Sequence, residues 1–325
     1  MKAIQIQSFG KPTEVARCVD VPEVGAPGAN EVVLEVEATP INMSDLLMIA
    51  GAYGYRPTLP ALVGSEGVGR VVAVGAGVKH LKEGDRTLVP VMQPAWAERV
   101  KVSAPWLRPL PPGDARQFAM LGINPPTAYL LLTDIVKLPR GSWVIQNGAN
   151  SGVGRATIAL AKSLRLKTVN VVRREEVVAE VKALGGDVVL VDGPDLAKRV
   201  AAETKNAPIA LGLDAVSDNS SMNLMSCLSE SGLLVSYGGM SRKPMVVSPN
   251  GLIFKKQTIR GFWLYYWYQS AEPDEITAMF DRLAPLVASG AISAPVAATY
   301  GFEQVTEAIA KASEARGKVL FTPRT

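Results

Sequence analysis

The apolar positions of this chain follow one rhythm in its first third and another after it. Up to residue 124 the period is two. Ile4 and Ile6, then Val32, Leu34 and Val36, alternate with polar neighbours, as strands with one buried face do. Gly25, Pro27 and Gly28 mark a turn. A further strand is expected over 67–74, where Gly64, Gly67, Gly69, Gly75 and Gly77 allow tight bends. Gly84-Asp85 turns the chain into a strand over 86–91. The pattern predicts a small antiparallel β body, mostly a partly open barrel.

From about Pro125 strands and helices alternate. A helix is expected over 127–136, and then residues 142–174 read as strand, small-residue turn, helix and second strand. Trp143 to Ile145 are apolar and bulky, as in a strand buried on both faces. Ala156, Ile158, Ala159, Leu160 and Leu164 form the packing side of the helix. Helices near 176–184, from Asp195 and near 221–228 separate strands at 188–191, 209–214 and 232–237. A last strand is expected at 258–262. Helices near 274–289 and 303–315 and strands near 297–300 and 319–322 then return to the first domain. The fold class is α/β, a doubly wound parallel sheet plus a β-barrel-like domain. The expected division is 125–266 for the parallel sheet, and 1–124 with 267–325 for the β-rich domain.

Composition narrows the setting. The 325 residues suffice for two domains with large cores. No apolar run approaches a membrane span, so no membrane partner is expected. Residues 1–10 show no signal- or transit-peptide pattern, so the expected compartment is the cytoplasm. Cys18 and Cys227, far apart in sequence, are expected to be reduced thiols. A net charge of +4 gives no broad basic surface for nucleic acid.

The turn from Asn147 to Gly154 carries the chemistry. Its small residues let the backbone approach a pyrophosphate, and the helix start behind it offers N–H donors and a positive dipole end. Ala149 and Ser151 depart from a strict G-x-G-x-x-G, and only Gly154 keeps its place. An ordinary strand-to-helix turn is the alternative. Arg173 and Arg174 stand where an NAD-binding unit usually carries an acid. Two guanidiniums suit a 2′-phosphate, so the expected cofactor is NADPH. Salt bridges to Glu175 and Glu176 are the alternative.

His80, the one histidine, is expected on a surface loop. With two scattered cysteines beside it there is no usual tetrahedral zinc set, and no metal is expected. A nicotinamide enzyme without a metal can reduce an activated C=C bond. Hydrogen-bond donors then hold the thioester or ketone oxygen on which charge grows, and the α-carbon takes a proton.

The chain resembles the zinc-free branch of the medium-chain dehydrogenase/reductases, and within it the mitochondrial-type trans-2-enoyl-thioester reductases. The resemblance rests on Ile41-Asn42-Met43-Ser44-Asp45, Gly51-Ala52-Tyr53-Gly54, Gly64-Ser65-Glu66-Gly67 and the run from Gly122 to Tyr129. The run from Val144 to Gly154, Asn170-Val171-Val172-Arg173, Tyr237-Gly238-Gly239-Met240 and Arg260-Gly261-Phe262-Trp263-Leu264 extend it over nearly the whole chain. It implies a GroES-like catalytic domain beside a Rossmann domain, and NADPH-dependent reduction of enoyl-CoA or enoyl-acyl-carrier-protein. It also implies a homodimer formed through edge strands of the cofactor domains.

The resemblance places the catalytic tyrosine on Tyr53, with Tyr55 as its near neighbour; a loop aromatic is the alternative. It places cofactor contacts on Asn124, Asn150, Ser151, Gly152, Val153, Arg173, Tyr237, Gly238, Gly239, Met240, Phe262, Trp263, Leu264 and Lys318. Arg174 joins Arg173 by the charge argument. A helix cap for Asn124 and a surface role for Lys318 are the alternatives. Trp267 and Asn42 are placed in the substrate pocket. Zinc-binding relatives carry cysteine and histidine at the places of Asn42 and Ser65. A quinone or alkenal reductase on the same scaffold, and a non-catalytic NADPH-binding sensor or structural protein, are the rival readings.

Overall fold

The computed structural model describes residues 1–314 and 316–323. The expected helix end at Ala315, and Arg324 and Thr325 of the C-terminal segment, lie outside the described residues. The chain divides into two compact units, Met1–Ile123 with Ala271–Thr325, and Asn124–Ser270. The first segment holds β1 (Lys2–Ile6), β2 (Ala16–Asp20), β3 (Glu31–Pro40), β4 (Ala61–Leu62), β5 (Gly67–Val74), β6 (Arg86–Val89) and β7 (Arg99–Ser103). The second unit holds β8 (Trp143–Gln146), β9 (Lys167–Val172), β10 (Val188–Val191), β11 (Ile209–Asp214), β12 (Leu233–Ser236) and β13 (Thr258–Gly261). The C-terminal segment adds β14 (Val296–Tyr300) and β15 (Lys318–Phe321).

In the first unit β3 is the organising strand. It pairs antiparallel with β5, and also with β7 and β15. Two register shifts in the β3–β5 ladder bend the sheet. The alternation read in the sequence buries Val32, Leu34, Val36 and Ala38. β15 sets Leu320 opposite Pro40 and Phe321 opposite Thr39, which ties the C-terminal segment to this strand. Trp96 is fully buried, edge-on to Phe321, and its Nε1 donates to the Pro40 carbonyl at 3.1 Å. Gly64 has φ +96, and a Cβ there would lie 2.4 Å from the Trp96 ring. Only glycine fits, and it delivers Ser65 and Glu66 into the interior.

The second unit is a six-stranded parallel sheet in the order β10-β9-β8-β11-β12-β13. That order turns back between β8 and β11, the place where such folds bind ligands at the C-terminal strand ends. Val144, Ile145, Val169, Leu211, Leu213 and Val235 are all buried, as strands covered on both faces require.

Several elements differ from the sequence pattern. The helix expected over 127–136 is Asn124–Thr133, because Pro125 and Pro126 fit a first turn whose N–H groups have no helical partner. The segment 42–50 forms the short helix Met43–Ile49. The aromatic run 262–268 is largely helical, as Leu264–Ser270. Among the described residues no helix is long and apolar enough to cross a membrane.

Candidate active site

The turn after β8 leads straight into the helix Gly152–Ser163. Ser151 caps that helix, its hydroxyl accepting the Gly154 N–H at 3.1 Å. Gly148 has φ +57. A Cβ on Gly154 would lie 2.6 Å from the carbonyls of Gly148 and Ala149. The turn is therefore packed against its helix as tightly as a dinucleotide fold demands. Asn124, the first residue of its own helix, lays its side-chain amide on Gly152, where a Cβ would come within 2.7 Å. Asn150 at the turn's crest is exposed, and Ser151 and Gly152 are half-buried beside Val153.

β9 ends on the two arginines. Arg173 is exposed and pairs with no acid among the described residues. Arg174 is half-buried, with its Nε 3.3 Å from Glu176. The salt-bridge alternative thus describes one arginine and leaves the other open to an anion.

Tyr237 follows β12, and Gly238, Gly239 and Met240 continue the loop. The Tyr237 Oη is buried and has no hydrogen-bond partner among the described residues. Burial pushes this phenol's pKa well up, the Asp214 carboxylate adds to the rise, and the Ser151 hydroxyl offsets part of it. A buried donor left open at the carboxyl edge of a parallel sheet suits a polar ligand. Phe262 and Trp263 follow β13, and Leu264 begins the aromatic helix. Trp263 packs on Tyr265 and Tyr266, and Trp267 on Tyr268.

In the first unit Asn42 stands before the helix Met43–Ile49. Asp45 Oδ2 accepts the Asn42 N–H at 2.8 Å, and Asp45 Oδ1 accepts the Ser65 hydroxyl. The Asn42 side chain turns elsewhere. Its Nδ2 donates to Glu66 Oε1 at 2.8 Å, and its Oδ1 accepts from Lys318 Nζ. Glu66 Oε2 accepts the Ile123 N–H at 2.9 Å. Burial raises Asp45 to about 6 and Glu66 to about 7. Burial lowers Lys318, while Glu66 and Asp45 pull it back up. The ammonium expected at a 2′-phosphate is engaged here by Asn42, beside two buried carboxylates.

Tyr53 lies on the loop that leaves the same helix, half-buried against a core cluster that includes Ile49, Trp96 and Phe321. Gly51, at φ +71, makes that exit, and its N–H donates to Met48 at 2.9 Å. Tyr55, two residues on, is exposed. One helix therefore sets both residues of this unit, with Asn42 at its entry and Tyr53 beyond its end.

The sequence reading did not single out Asp45, Glu66, Asn147 or Asp214. Asn42-x-x-Asp45 ahead of an apolar run is a helix-start signal, and an acid closing the apolar strand 209–214 is another flag. His80 sits on a loop, its Nε2 2.8 Å from the Ala104 carbonyl, and both cysteines are free and half-buried. Among the described residues no group of three or more His, Cys, Asp or Glu side chains could hold a metal ion.

A six-stranded parallel sheet with a small-residue turn at its switch point, joined to a bent antiparallel unit, defines a nucleotide-dependent dehydrogenase or reductase fold. The family models agree. Residues 28–112 match the alcohol dehydrogenase GroES-like domain, and residues 152–284 match the zinc-binding dehydrogenase domain. The mouse mitochondrial enoyl-[acyl-carrier-protein] reductase is 37% identical over 96% of this chain and 86% of its own length. Among solved structures, the Etr1p/NADP/crotonyl-CoA complex aligns at TM-score 0.88 and 26% identity over 99% of each chain. So does the Etr1p/Etr2p heterodimer of the Candida tropicalis mitochondrial 2-enoyl thioester reductase. A Bacillus thuringiensis protein assigned as an NADPH:quinone reductase aligns at TM-score 0.90 and 29% identity, over 99% of this chain and 98% of its own. The chain belongs to the medium-chain dehydrogenase/reductase family, among the mitochondrial-type enoyl-thioester reductases.

One expectation is corrected. The mouse, rat and human relatives are mitochondrial proteins, which overturns the cytoplasmic placement. That placement rested on a missing targeting pattern. Targeting segments are separate from the fold, so such an absence fixes no compartment.

Proposed function

We propose that the protein is an NADPH-dependent reductase of trans-2-enoyl thioesters, saturating the C=C bond of enoyl-CoA or enoyl-acyl-carrier-protein. Relatedness to an enoyl-[acyl-carrier-protein] reductase over 96% of the chain carries this reading. The second unit's residues fit the cofactor. The turn Gly148–Gly154 suits the pyrophosphate, exposed Arg173 a 2′-phosphate, and the open Tyr237 hydroxyl a further polar group. NADPH, when bound, supplies a hydride to the β-carbon. Tyr53 acts on the oxygen side. Its hydroxyl, protonated at neutral pH in an ordinary tyrosine, donates to the thioester oxygen as charge grows there or delivers the α-carbon's proton. Phe262 and Trp263 shield the nicotinamide from water, and Trp267 is assigned to the acyl pocket.

The relative assigned as a quinone reductase supports a second reading, reduction of quinones or small enones on the same scaffold. We also place a second copy of the chain along β13. This strand pairs only with β12 among the described residues, and Ile253 and Phe254 are exposed just before it.

NADPH oxidation at 340 nm separates the readings, measured with enoyl-CoA esters of several lengths, a quinone and a simple enone. Thioester turnover that falls at least about tenfold in Tyr53→Phe (roughly 1.4 kcal/mol of barrier) is the expected result. Turnover of the quinone alone moves the assignment to the second reading. An unaffected mutant removes Tyr53 from the chemistry, and NADPH binding without any turnover leaves the sensor.

A further inference from the structure

Asn147 and Asp214 meet where the strand order of the parallel sheet turns back. β8 and β11 run in the register Gln146 to Leu213, so the next residue on each strand faces the other at the carboxyl edge. Asn147 Nδ2 donates to Asp214 Oδ1 at 2.6 Å, and Asn147 Oδ1 accepts the Ala215 N–H at 2.7 Å. Asp214 Oδ1 also accepts the N–H groups of Val216 and Ser217, each at 3.0 Å. Asp214 Oδ2 accepts the Ser221 hydroxyl at 2.6 Å. Both side chains are buried.

The turn held this way is not one the chain would adopt freely. Ser217 has φ +67 and Asp218 has φ +56, in the region that favours glycine. Its first residue packs against two others of the proposed cofactor cradle. A Cβ on Gly148 would lie 3.3 Å from Ala215 Cβ, and one on Gly238 would lie 3.0 Å from the Ala215 carbonyl. The N–H groups of Met240 and Ser241 donate to the carbonyls of Ala215 and Val216 at 3.0 and 2.9 Å. The loops after β8, β11 and β12 thus converge on Ala215, and the Asp214 carboxylate fixes the turn that carries it.

We propose that Asp214, held by Asn147, is a positioning residue for the cofactor: it folds the 215–218 turn against Gly148 and Gly238 and so sets the spacing of the cradle. This rests on the NADPH reading above. The role is one of shape. The carboxylate serves four neutral donors, and a negative charge beneath a pyrophosphate site does not help an anion to bind. An asparagine at 214 keeps the three bonds at the Oδ1 position and can donate to Ser221 from the other atom. An alanine keeps none.

The test is NADPH affinity of the full chain, by energy transfer from tryptophan to the reduced nicotinamide, with thermal melting of the same samples. Asp214→Asn is expected to stay within about threefold of the unsubstituted chain, and Asp214→Ala to bind at least about tenfold more weakly. Adding Ser217→Gly to Asp214→Ala is expected to recover about half of that loss on a logarithmic scale, because glycine takes the left-handed conformation without a carboxylate to hold it. A folded Asp214→Ala protein that binds normally overturns the proposal. So does an asparagine variant as weak as the alanine one, or a double variant that recovers nothing. Should Asp214→Ala not fold, Asn147→Ser cuts the same bridge from the other side, and normal binding by it overturns the proposal equally. An unsubstituted chain that does not bind NADPH fails the cofactor reading itself, a distinct result.

Discussion

The Asn42 amide lies between a buried carboxylate and an ammonium, with Nδ2 on Glu66 Oε1 at 2.8 Å and Oδ1 on Lys318 Nζ. The opposite orientation would set NH₂ against the ammonium and oxygen against the carboxylate, so the two charges fix the amide. Hydrogen bonds from Asn42, Ser65 and the Ile123 N–H meet the two acids.

This arrangement makes stability depend on pH. Glu66 rises from an ordinary 4.5 to about 7, and Asp45 from 3.8 to about 6, burial being the main cause in both. The folded chain holds these protons more tightly than the unfolded one. Their contribution is therefore full below about pH 4 and is lost as pH rises through about 7. The melting temperature should fall from about pH 5 to about pH 8 for this reason. Glu66→Gln should flatten that slope. It should also melt lower at the acid end, because its NH₂ turns a donor on either Asn42 or the Ile123 N–H. Calorimetry across this range decides, and an unaltered slope in the variant removes Glu66 as its source.

Lys318 acts on the same curve from the other side. Its charge draws both carboxylates down, against the larger effect of burial. In Lys318→Met both acids should hold their protons to higher pH, so the fall in stability starts at the same pH but continues further into the alkaline range. The loss should be small near pH 6 and about 2–3 kcal/mol near pH 8, below the full value for a dry pair because Lys318 is half-buried. Denaturant melts at the two pH values check this, and an equal loss at both would contradict it.

The parts that could be read from the sequence were those written in local pattern. The strand expected at 209–214 is β11, and that at 67–74 is β5, because apolar spacing and flanking glycines set both. The helix Met43–Ile49 escaped because seven residues give too short a period. The aromatic run escaped because tyrosine and tryptophan do not separate helix from buried loop. The polar bridges were out of reach for another reason. Asn147 and Asp214 are 67 positions apart, and Lys318 and Asn42 are 276 apart, so only the folded sheets bring them together.

The two arginines after β9 should not contribute equally. Arg173 is exposed and pairs with no acid among the described residues, whereas Arg174 already meets Glu176. Arg173→Ala should raise KM for NADPH by roughly tenfold or more and leave KM for NADH nearly unchanged, since NADH has no 2′-phosphate to lose. Arg174→Ala should cost no more than about threefold, because that guanidinium must first leave its carboxylate. Steady-state kinetics with both cofactors test this. Equal losses with NADH and NADPH would mean that neither arginine reads the phosphate.

Gly152 and Gly154 separate the packing of the turn from its function. The atoms nearest a Cβ on Gly154 are backbone, the carbonyl oxygens of Gly148 and Ala149 at 2.6 Å, and those atoms move only if the turn opens. A Cβ on Gly152 meets the Asn124 side-chain amide at 2.7 Å, and a side chain can swing aside. Gly154→Ala should therefore destabilise the second unit by about 1–3 kcal/mol and weaken NADPH binding with it. Gly152→Ala should melt close to the unsubstituted chain, because alanine suits the first turn of a helix. It should still bind NADPH several-fold more weakly, because the Asn124 amide is displaced from the cradle. Melting curves and binding isotherms of the two variants, taken together, decide the point. If Gly152→Ala binds as well as the unsubstituted chain, Asn124 is a helix-start residue and not a cofactor contact.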